Sequence, residues 1–172
     1  RHRKLQTWKS LVGAKKYESA RDRVRGFVET GSSVMVLYGT RGTGKTQIAS
    51  VATVRTIERN KPARMVTAAE LVSDLKRRYD QEGDALADWL GEWGWQHLLV
   101  IDEINQRFGT DHEMVALTTL TDRRYANERP TLLIGNVTAK DLAGCLGSSV
   151  LDRCLEGGGT LCFDGLPSFR GR

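Results

Sequence analysis

Residues 33–50 read SVMVLYGTRGTGKTQIAS, and this stretch decides the fold. An apolar run, 33–38, comes first, then a loop with three glycines, then residues with helical spacing. The loop is Gly39-Thr40-Arg41-Gly42-Thr43-Gly44-Lys45-Thr46. It fits the pattern G-x-x-x-x-G-K-[ST] at every fixed position. A strand before such a loop and a helix after it are the context of a phosphate cradle, and a flexible turn requires neither.

The chemistry of a phosphate cradle explains these residue types. Backbone N–H groups curl round the phosphate oxygens, and glycine permits that path because it has no Cβ to clash. The helix that follows directs its N-terminal dipole at the anion. We expect Lys45 to reach the β- and γ-phosphates, the Thr46 hydroxyl to hold Mg²⁺, and Gln47 to complete the cradle. The sequence therefore predicts a site for ATP or ADP with Mg²⁺.

Polar residues also follow two later apolar runs. Leu98–Ile101 lead into Asp102 and Glu103, which predicts a second Mg²⁺ ligand in Asp102 and a group that polarises the attacking water in Glu103. The alternative for this acidic pair is a helix N-cap or an exposed turn. Asn136 ends the run TLLIGN, and its amide is predicted to hold the attacking water, the alternative being a simple turn residue.

Strand and helix signals alternate along the whole chain. Apolar runs rich in branched residues predict buried parallel strands at 33–38, 64–67, 97–101, 131–135 and 160–163. Helical patterns lie between them, two of them opened by capping-box pairs, Thr67 with Glu70 and Thr110 with Glu113. Short helices are predicted around 139–146 and 149–156. The expected fold is α/β, with three layers and a five-stranded, mostly parallel sheet.

Composition favours a soluble cytoplasmic domain. The 172 residues suit one domain, and 40% hydrophobic with 27% charged residues is ordinary for a globular protein. No apolar run is long enough to span a bilayer. The lack of such a run predicts no membrane partner. Cys145, Cys154 and Cys162 are odd in number and lack metal-ligand spacing, so we expect no structural disulfide and a reducing cytoplasm.

The net charge of +5 is unevenly distributed. Residues 1–31 hold nine Lys and Arg against three Asp and Glu, a balance of +6, so residues 32–172 sum to −1. We divide the chain into a basic N-terminal entry segment, 1–31, and a core, 32–172. The basic segment is either a DNA contact or a solvated helix, and charge alone does not separate the two.

Three segments carry a family resemblance: LLVIDEI (98–104), TDRRYANERPTLLIGN (121–136) and LGSSVLDRCLEGGGTLCFDGLPSFRGR (146–172). They resemble the DnaC-type bacterial or phage replicative helicase loaders, AAA+ ATPases related to the IstB-type transposition helpers. The resemblance implies a P-loop NTPase domain of the AAA+ (ASCE) class with little or no lid. It also implies a separate N-terminal domain that binds the helicase, and we expect that this domain is missing from a trimmed fragment beginning at Arg1.

The resemblance also implies roles for two arginines. Arg153, in LDRCLEGG, matches the position that reaches a neighbour's ATP as an arginine finger, and the alternative is a surface arginine. Arg170, in SFRGR, matches a C-terminal arginine near the nucleotide. A finger on one subunit and a cradle on the next imply head-to-tail self-association into a spiral or ring.

The helix predicted at 67–79 ends in KRRY, where these loaders place DNA-binding elements that face the pore. Lys76, Arg77 and Arg78 are expected to neutralise phosphates and Tyr79 to stack on a base. Arg107 and His112 form a second candidate for single-stranded DNA contact. The alternative for KRRY is a solvated helix face.

Three functions follow from these features. The first is an ATPase that loads a replicative DNA helicase onto single-stranded DNA. The second is an IstB-type transposition helper acting on duplex DNA, and the third is a nucleotide-switched DNA-binding module with negligible turnover. Two further expectations concern details. The tryptophans of 89–95 are expected to be buried against the sheet, the alternative being a stacking platform, and adenine is expected to bind near 5–17.

Overall fold

A computed structural model describes residues 7–30, 33–79, 83–105 and 111–168. The strands are β1 Val34–Tyr38, β2 Ala63–Thr67, β3 Leu98–Asp102, β4 Thr131–Gly135 and β5 Gly159–Cys162. The α-helices are α1 Lys15–Thr30, α2 Lys45–Glu58, α3 Ala68–Tyr79, α4 Ala85–Gly94, α5 Asp111–Ala126 and α6 Leu142–Arg153. A 3₁₀ turn, Trp8–Ser10, precedes α1, and a π-helical turn, Cys154–Gly158, follows α6.

The five strands form one parallel sheet in the order β2-β3-β4-β1-β5. Each strand falls where an apolar run predicted it, so the predicted α/β class is confirmed. β4 lies between β1 and β3, as the expected role of Asn136 requires. The carboxyl ends of these three strands therefore meet at one edge, where parallel α/β sheets place ligand sites.

Helices cover both faces of the sheet. Alternate residues of β1 point to opposite sides: Met35 and Leu37 pack with α1 and α2, whereas Val34 and Val36 pack with the helices of the other layer. The buried face of α1, which includes Val24 and Phe27, belongs to the same apolar cluster as α2. The helix in the basic segment is therefore packed into the core through one face.

The helix ends follow local chemistry. The predicted capping box at α3 is confirmed: the Thr67 N–H and Oγ1 both donate to Glu70 Oε2 at 2.8 Å, and the Glu70 N–H donates to Thr67 Oγ1 at 3.2 Å. Thr110 of the second predicted box lies outside the described residues. The two short helices predicted near the C-terminus correspond to the two helical stretches of α6, which meet at a kink at Gly147 (φ 75°), between the predicted ranges. Among the described residues, no helix combines the length and hydropathy needed to cross a bilayer.

The tryptophan-rich α4 packs on α3. Trp89 is fully buried and its Nε1–H donates to the Leu71 carbonyl at 3.1 Å, while the Trp93 Nε1–H donates to Asp74 at 3.0 Å. Trp95 departs from the expectation, because 55% of its surface is exposed. It lies just beyond the last residue of α4, so it is off the face that packs on the sheet.

Arg124 is a charged residue with no solvent exposure. Its guanidinium donates to a hydroxyl and four carbonyl groups at 2.8–3.2 Å: Thr131 Oγ1 and the carbonyl oxygens of Trp93, Gly94, Gln96 and Pro130. Burial lowers the pKa of Arg124 to about 9, so the group is still charged at neutral pH. It joins α5 to the turn before β3 and to the start of β4.

We expect Arg124→Leu to lower the free energy of unfolding by at least about 3 kcal/mol, because it leaves several buried acceptors without donors. Urea denaturation followed by circular dichroism measures the change. Arg123→Leu, the adjacent and exposed position, is the control and is expected to change stability by less than about 0.5 kcal/mol. Equal losses for the two variants would contradict a structural role specific to Arg124.

Candidate functional site

The candidate site lies at the carboxyl edge of the sheet, where β1, β4 and β3 end side by side. β1 leads into Gly39, β4 into Asn136, and β3 ends at Asp102. A cavity of about 1030 Å³ opens beside them, lined by the first residues of the glycine loop and by Asn105, Asn136 and Asp164. The topology thus brings the predicted cradle, acidic pair and amide to one edge of the sheet.

The loop backbone takes the path that glycine allows. Gly39, Gly42 and Gly44 have φ values of 120°, 80° and 89°, in the region that side chains disfavour. At Gly39 a Cβ would also stand 2.8 Å from the backbone nitrogen of Asp164, closer than non-bonded atoms pack. Gly44 is the N-cap of α2, so the start of that helix is directed into the loop.

Lys45 is 4% exposed and its side chain folds back over the loop. Its ammonium donates to the carbonyl oxygens of Gly39 at 2.8 Å and Thr40 at 2.7 Å. Burial lowers the pKa of Lys45, and the carboxylates of Asp102 and Asp164 oppose that shift. The ammonium is therefore held inside the cradle, where it can exchange carbonyl contacts for phosphate oxygens.

Thr46 and Asp102, the two predicted metal ligands, are in direct contact. Thr46 Oγ1 donates to Asp102 Oδ2 at 2.8 Å, although the residues are 56 positions apart in the chain. A hydroxyl and a carboxylate at the mouth of a phosphate loop form an oxygen donor set of the kind that Mg²⁺ prefers, alongside phosphate oxygens and water. The donor set fits Mg²⁺.

Glu103 has an uncommon backbone conformation, with φ 57°. Its N–H donates to Asp102 Oδ1 at 2.7 Å, which ties the acidic pair together. Left-handed non-glycine residues are rare and concentrate at functional sites, because the surrounding structure must enforce them. The Asn136 N–H donates to Asn105 Oδ1 at 3.1 Å, which connects the end of β4 to the turn after β3.

Asp164, just after β5, accepts hydrogen bonds from Thr40 in the first turn of the loop, and we call this contact the clasp. The Thr40 N–H and Oγ1 both donate to Asp164 Oδ1 at 2.8 Å, and these bonds lower the pKa of Asp164. The Lys16 ammonium donates to the Asp164 carbonyl at 2.6 Å. The clasp thus connects β5 and α1 to the start of the cradle.

We expect Asp164→Ala to weaken ADP affinity about tenfold, because Thr40 loses the acceptor that fixes the entry to the loop. Asp164→Asn is the matched control, since its amide oxygen still accepts, and it should retain most of the affinity. Isothermal titration calorimetry with ADP and Mg²⁺ measures both variants. If the alanine variant binds as tightly as the unmodified chain, the clasp does not position the cradle.

Arg153 lies away from its own cradle. The Ser33 Oγ donates to the Arg153 carbonyl at 3.2 Å, and Ser33 precedes β1, whereas the cradle follows it. Five strand residues span about 16 Å at 3.3 Å each. The Arg153 guanidinium is 4.7 Å from the Tyr125 ring centroid, and its Nε is 3.6 Å from Asp122. Its side chain is 37% exposed, which leaves it open to a second subunit.

The predicted DNA residues at the end of α3 are ion-paired. Lys76 contacts Glu113 at 2.5 Å, Arg77 contacts Asp74 at 3.2 Å, and Arg78 contacts Asp74 at 3.0 Å and Glu92 at 2.5 Å. Tyr79 is 61% exposed. His112 is exposed at the start of α5. Arg107 and Arg170 lie outside the described residues.

The region predicted to contact adenine packs on α2. Leu11 and Tyr17 are buried, and the Tyr17 hydroxyl donates to Gln47 Oε1 at 3.4 Å, next to the cradle. Residues 5 and 6 lie outside the described part of the chain, and no adenine contact is assigned to individual residues.

The comparison with known families agrees with this geometry. A family model described as an AAA domain matches residues 18–130. The chain belongs to the AAA domain family. That range holds the glycine loop, the Thr46–Asp102 pair and the end of α3. An AAA domain fold accounts for the parallel sheet and for the position of the cradle at its carboxyl edge.

This AAA domain is similar to curated helicase loaders. It is 28% identical over 137 residues to the replicative helicase loader DnaC of Escherichia coli strain K12, covering 80% of this chain and 56% of DnaC. It is 29% identical over 147 residues to DnaC of Buchnera aphidicola subsp. Acyrthosiphon pisum, covering 84% and 56%. The chain therefore spans about half the length of the curated relatives it matches.

Solved structures share its fold. The DnaC helicase loader superposes with a TM-score of 0.75 at 20% identity, covering 91% of this chain and 95% of that one. The replication initiator DnaA, bound to AMPPCP and single-stranded DNA, superposes with a TM-score of 0.80 at 18% identity, covering 93% and 51%. At 18–20% identity, the similarity to these two structures shows that this chain has the same fold.

Two polar residues of the AAA domain site were missed by sequence reasoning. Asn105 stands two positions after the acidic pair, and a polar amide three residues beyond a buried strand was a usable signal. Asp164 follows the last apolar run in the same way, before a glycine. Both lie at the carboxyl end of a strand, where parallel sheets collect site residues.

Proposed function

We propose that this chain is the ATPase domain of a protein that loads a replicative DNA helicase onto single-stranded DNA. The observation that carries the proposal is the similarity to DnaC across 80% of the chain. The site geometry supports the ATPase part, because Thr46 and Asp102 form an oxygen donor pair beside a glycine loop. A cytoplasmic location belongs to the same proposal.

The site residues divide the work of ATP hydrolysis. Residues 39–47 bind the phosphates through backbone N–H groups, and Lys45 balances their charge. Thr46 and Asp102 hold Mg²⁺, which when bound neutralises negative charge on the phosphate oxygens. Glu103 orients and polarises the attacking water, and the Asn136 amide holds that water from the neighbouring strand.

Each site is completed by a second subunit. Arg153 and the cradle stand at opposite edges of one sheet, so the finger serves the ATP of a neighbour. Such a contact is head-to-tail, and repeated head-to-tail contacts build a ring or an open spiral. In this proposal Arg170 also binds the nucleotide. ATP between subunits favours the assembly, and hydrolysis weakens it.

Single-stranded DNA binds at the end of α3 in this proposal. Its phosphates replace carboxylates as partners of Lys76, Arg77 and Arg78, so the protein's own ion pairs are exchanged for DNA contacts. The exposed Tyr79 stacks on a base. Arg107 and His112 extend the contact.

In this proposal the helicase is bound by a separate N-terminal domain, and the present chain matches 56% of the length of DnaC. We propose that residues 32–172 form the ATPase core and that residues 1–31 form the entry to it. In that arrangement the present chain supplies nucleotide-driven assembly on DNA, and the rest of the protein selects the helicase.

Sedimentation velocity tests the assembly directly. With AMPPCP, Mg²⁺ and single-stranded DNA, we expect the chain to form complexes of several subunits, and Lys45→Ala to remain monomeric under the same conditions. Assembly on duplex DNA alone would favour the transposition helper. Identical profiles for the two proteins would contradict nucleotide-driven assembly.

A further inference from the structure

A second basic surface lies at the amino edge of the sheet, opposite the nucleotide crevice. Three turns meet there: residues 59–62 before β2, 94–97 before β3 and 127–130 before β4. The turns touch, because the His97 N–H donates to the Pro62 carbonyl at 2.7 Å and the Leu99 N–H to the Pro130 carbonyl at 3.2 Å. We call this surface the amino-edge patch and define it by Lys61, Trp95, His97, Arg123 and Arg129.

The cations of the patch lie around the turn that carries an exposed tryptophan. Arg129 Nη1 donates to the carbonyl of Trp95, and Lys61 Nζ is 3.4 Å from His97 Nε2. Arg123 Cδ and Nε lie 3.7 Å from where a Gly94 Cβ would stand. Trp95 is 55% exposed among them. A flat aromatic ring and three cations are thus presented on one side of the molecule.

The charge of the patch is not neutralised locally. Within residues 7–30, 33–79, 83–105 and 111–168, neither Lys61, Arg123 nor Arg129 forms an ion pair. The three turns contain a single carboxylate, Glu128. Burial lowers the pKa of His97, and the nearby charges of Lys61, Arg129 and Arg124 lower it further. The local electrostatic field is therefore positive.

We propose that the amino-edge patch is a binding site for single-stranded nucleic acid. Lys61, Arg123 and Arg129 contact phosphates, and an unpaired base stacks on Trp95. The combination favours a single strand over duplex, because only unpaired bases offer a free face to the indole. It differs from the end of α3, where the cations are already paired with carboxylates. The inference goes beyond the proposed function, since binding at this surface needs neither ATP nor a helicase.

Fluorescence anisotropy with labelled oligothymidine, at low salt and without nucleotide, tests the site. We expect Trp95→Ala to weaken binding about tenfold, from the loss of one stacked base, and Trp95→Phe to restore most of it. Lys61→Gln with Arg123→Gln should reduce the slope of log affinity against log salt by about 1.4, since each phosphate contact on a single strand contributes about 0.7. Arg129 is left unchanged because it supports the Trp95 backbone.

The controls separate the site from general electrostatics. Lys15→Gln with Arg23→Gln makes the same charge change on the exposed face of α1 and should leave both the affinity and the slope nearly unchanged. Equal losses from the two double variants would overturn the proposal, as would a Trp95→Ala variant that binds normally. Displacement of the oligothymidine by polyglutamate at equal charge would also overturn it, in favour of an acidic protein partner.

The outcome is independent of the ATPase proposal. If the chain has no ATPase activity but binds oligothymidine in a Trp95-dependent way, the loader proposal is contradicted and the amino-edge patch proposal stands. If ATP-driven assembly is normal but Trp95→Ala does not change oligothymidine binding, the amino-edge patch proposal is contradicted and the loader proposal stands. Thermal unfolding of each variant checks the fold, and the exposed positions of Lys61, Trp95 and Arg123 predict little change.

Discussion

We expect Glu103→Gln to lower steady-state ATP turnover about 10²–10⁴-fold while ATP affinity changes by less than about threefold. The variant loses the carboxylate that we propose polarises the attacking water, but its amide has the same size and the cradle is untouched. The Glu103 N–H still donates to Asp102, so the backbone at φ 57° is kept. A coupled-enzyme assay gives turnover, and calorimetry with ATP gives affinity.

Glu128→Gln is the matched control for this change. Glu128 is also a left-handed glutamate, with φ 52°, but it stands in the turn before β4 at the opposite edge of the sheet. It should leave turnover unchanged. Normal turnover in Glu103→Gln would remove Glu103 from the mechanism. Negligible turnover in the unmodified chain, with tight nucleotide binding, would favour the nucleotide-switched module.

Arg153→Ala is expected to lower turnover about 10³-fold, because the finger no longer balances the charge that develops on the γ-phosphate. Arg153→Lys should recover little, since an ammonium lacks the planar fork of donors. The loss should appear as a fall in turnover number. Nucleotide affinity should hold, because the cradle of each subunit is intact.

Mixing two inactive variants tests whether Arg153 acts between subunits. Arg153→Ala keeps its cradle, and Glu103→Gln keeps its finger and its ATP affinity. Combined in equal amounts, they should recover about a quarter of normal turnover, because half of the sites keep Glu103 and half of those face an intact finger. Recovery indistinguishable from zero, with assembly verified by sedimentation, would contradict a finger that acts on the neighbour's ATP.

The sequence predicts most of the fold because its signals are local. The runs at 33–38 and 131–135 are apolar on both faces, as strands buried between helix layers must be, and each is a strand. Thr67 and Glu70, three residues apart, predict the start of α3, and the hydrogen bonds of the capping box form between them. The residue types of the glycine loop predict its backbone conformation, because each fixed position of the motif meets a steric or hydrogen-bonding requirement.

Features that depend on distant partners were not predicted. In the sequence Arg124 is one of two adjacent arginines with no mark that separates them. Three of its buried carbonyl partners lie about 30 residues away and meet it only in the folded chain. Asp164 is 124 residues from Thr40, so no local pattern connects them. Trp95 shares the composition of α4, but it falls one residue beyond the helix end, and helix ends are the boundaries that sequence defines least well.

The most direct test of the central claim is ATP turnover measured against increasing single-stranded DNA and, separately, against duplex DNA of the same sequence, with Glu103→Gln as the blank. An ATPase that loads a helicase onto single strands predicts stimulation by the single strand and little response to duplex. Stimulation mainly by duplex would contradict the loader and would assign this chain to a transposition helper.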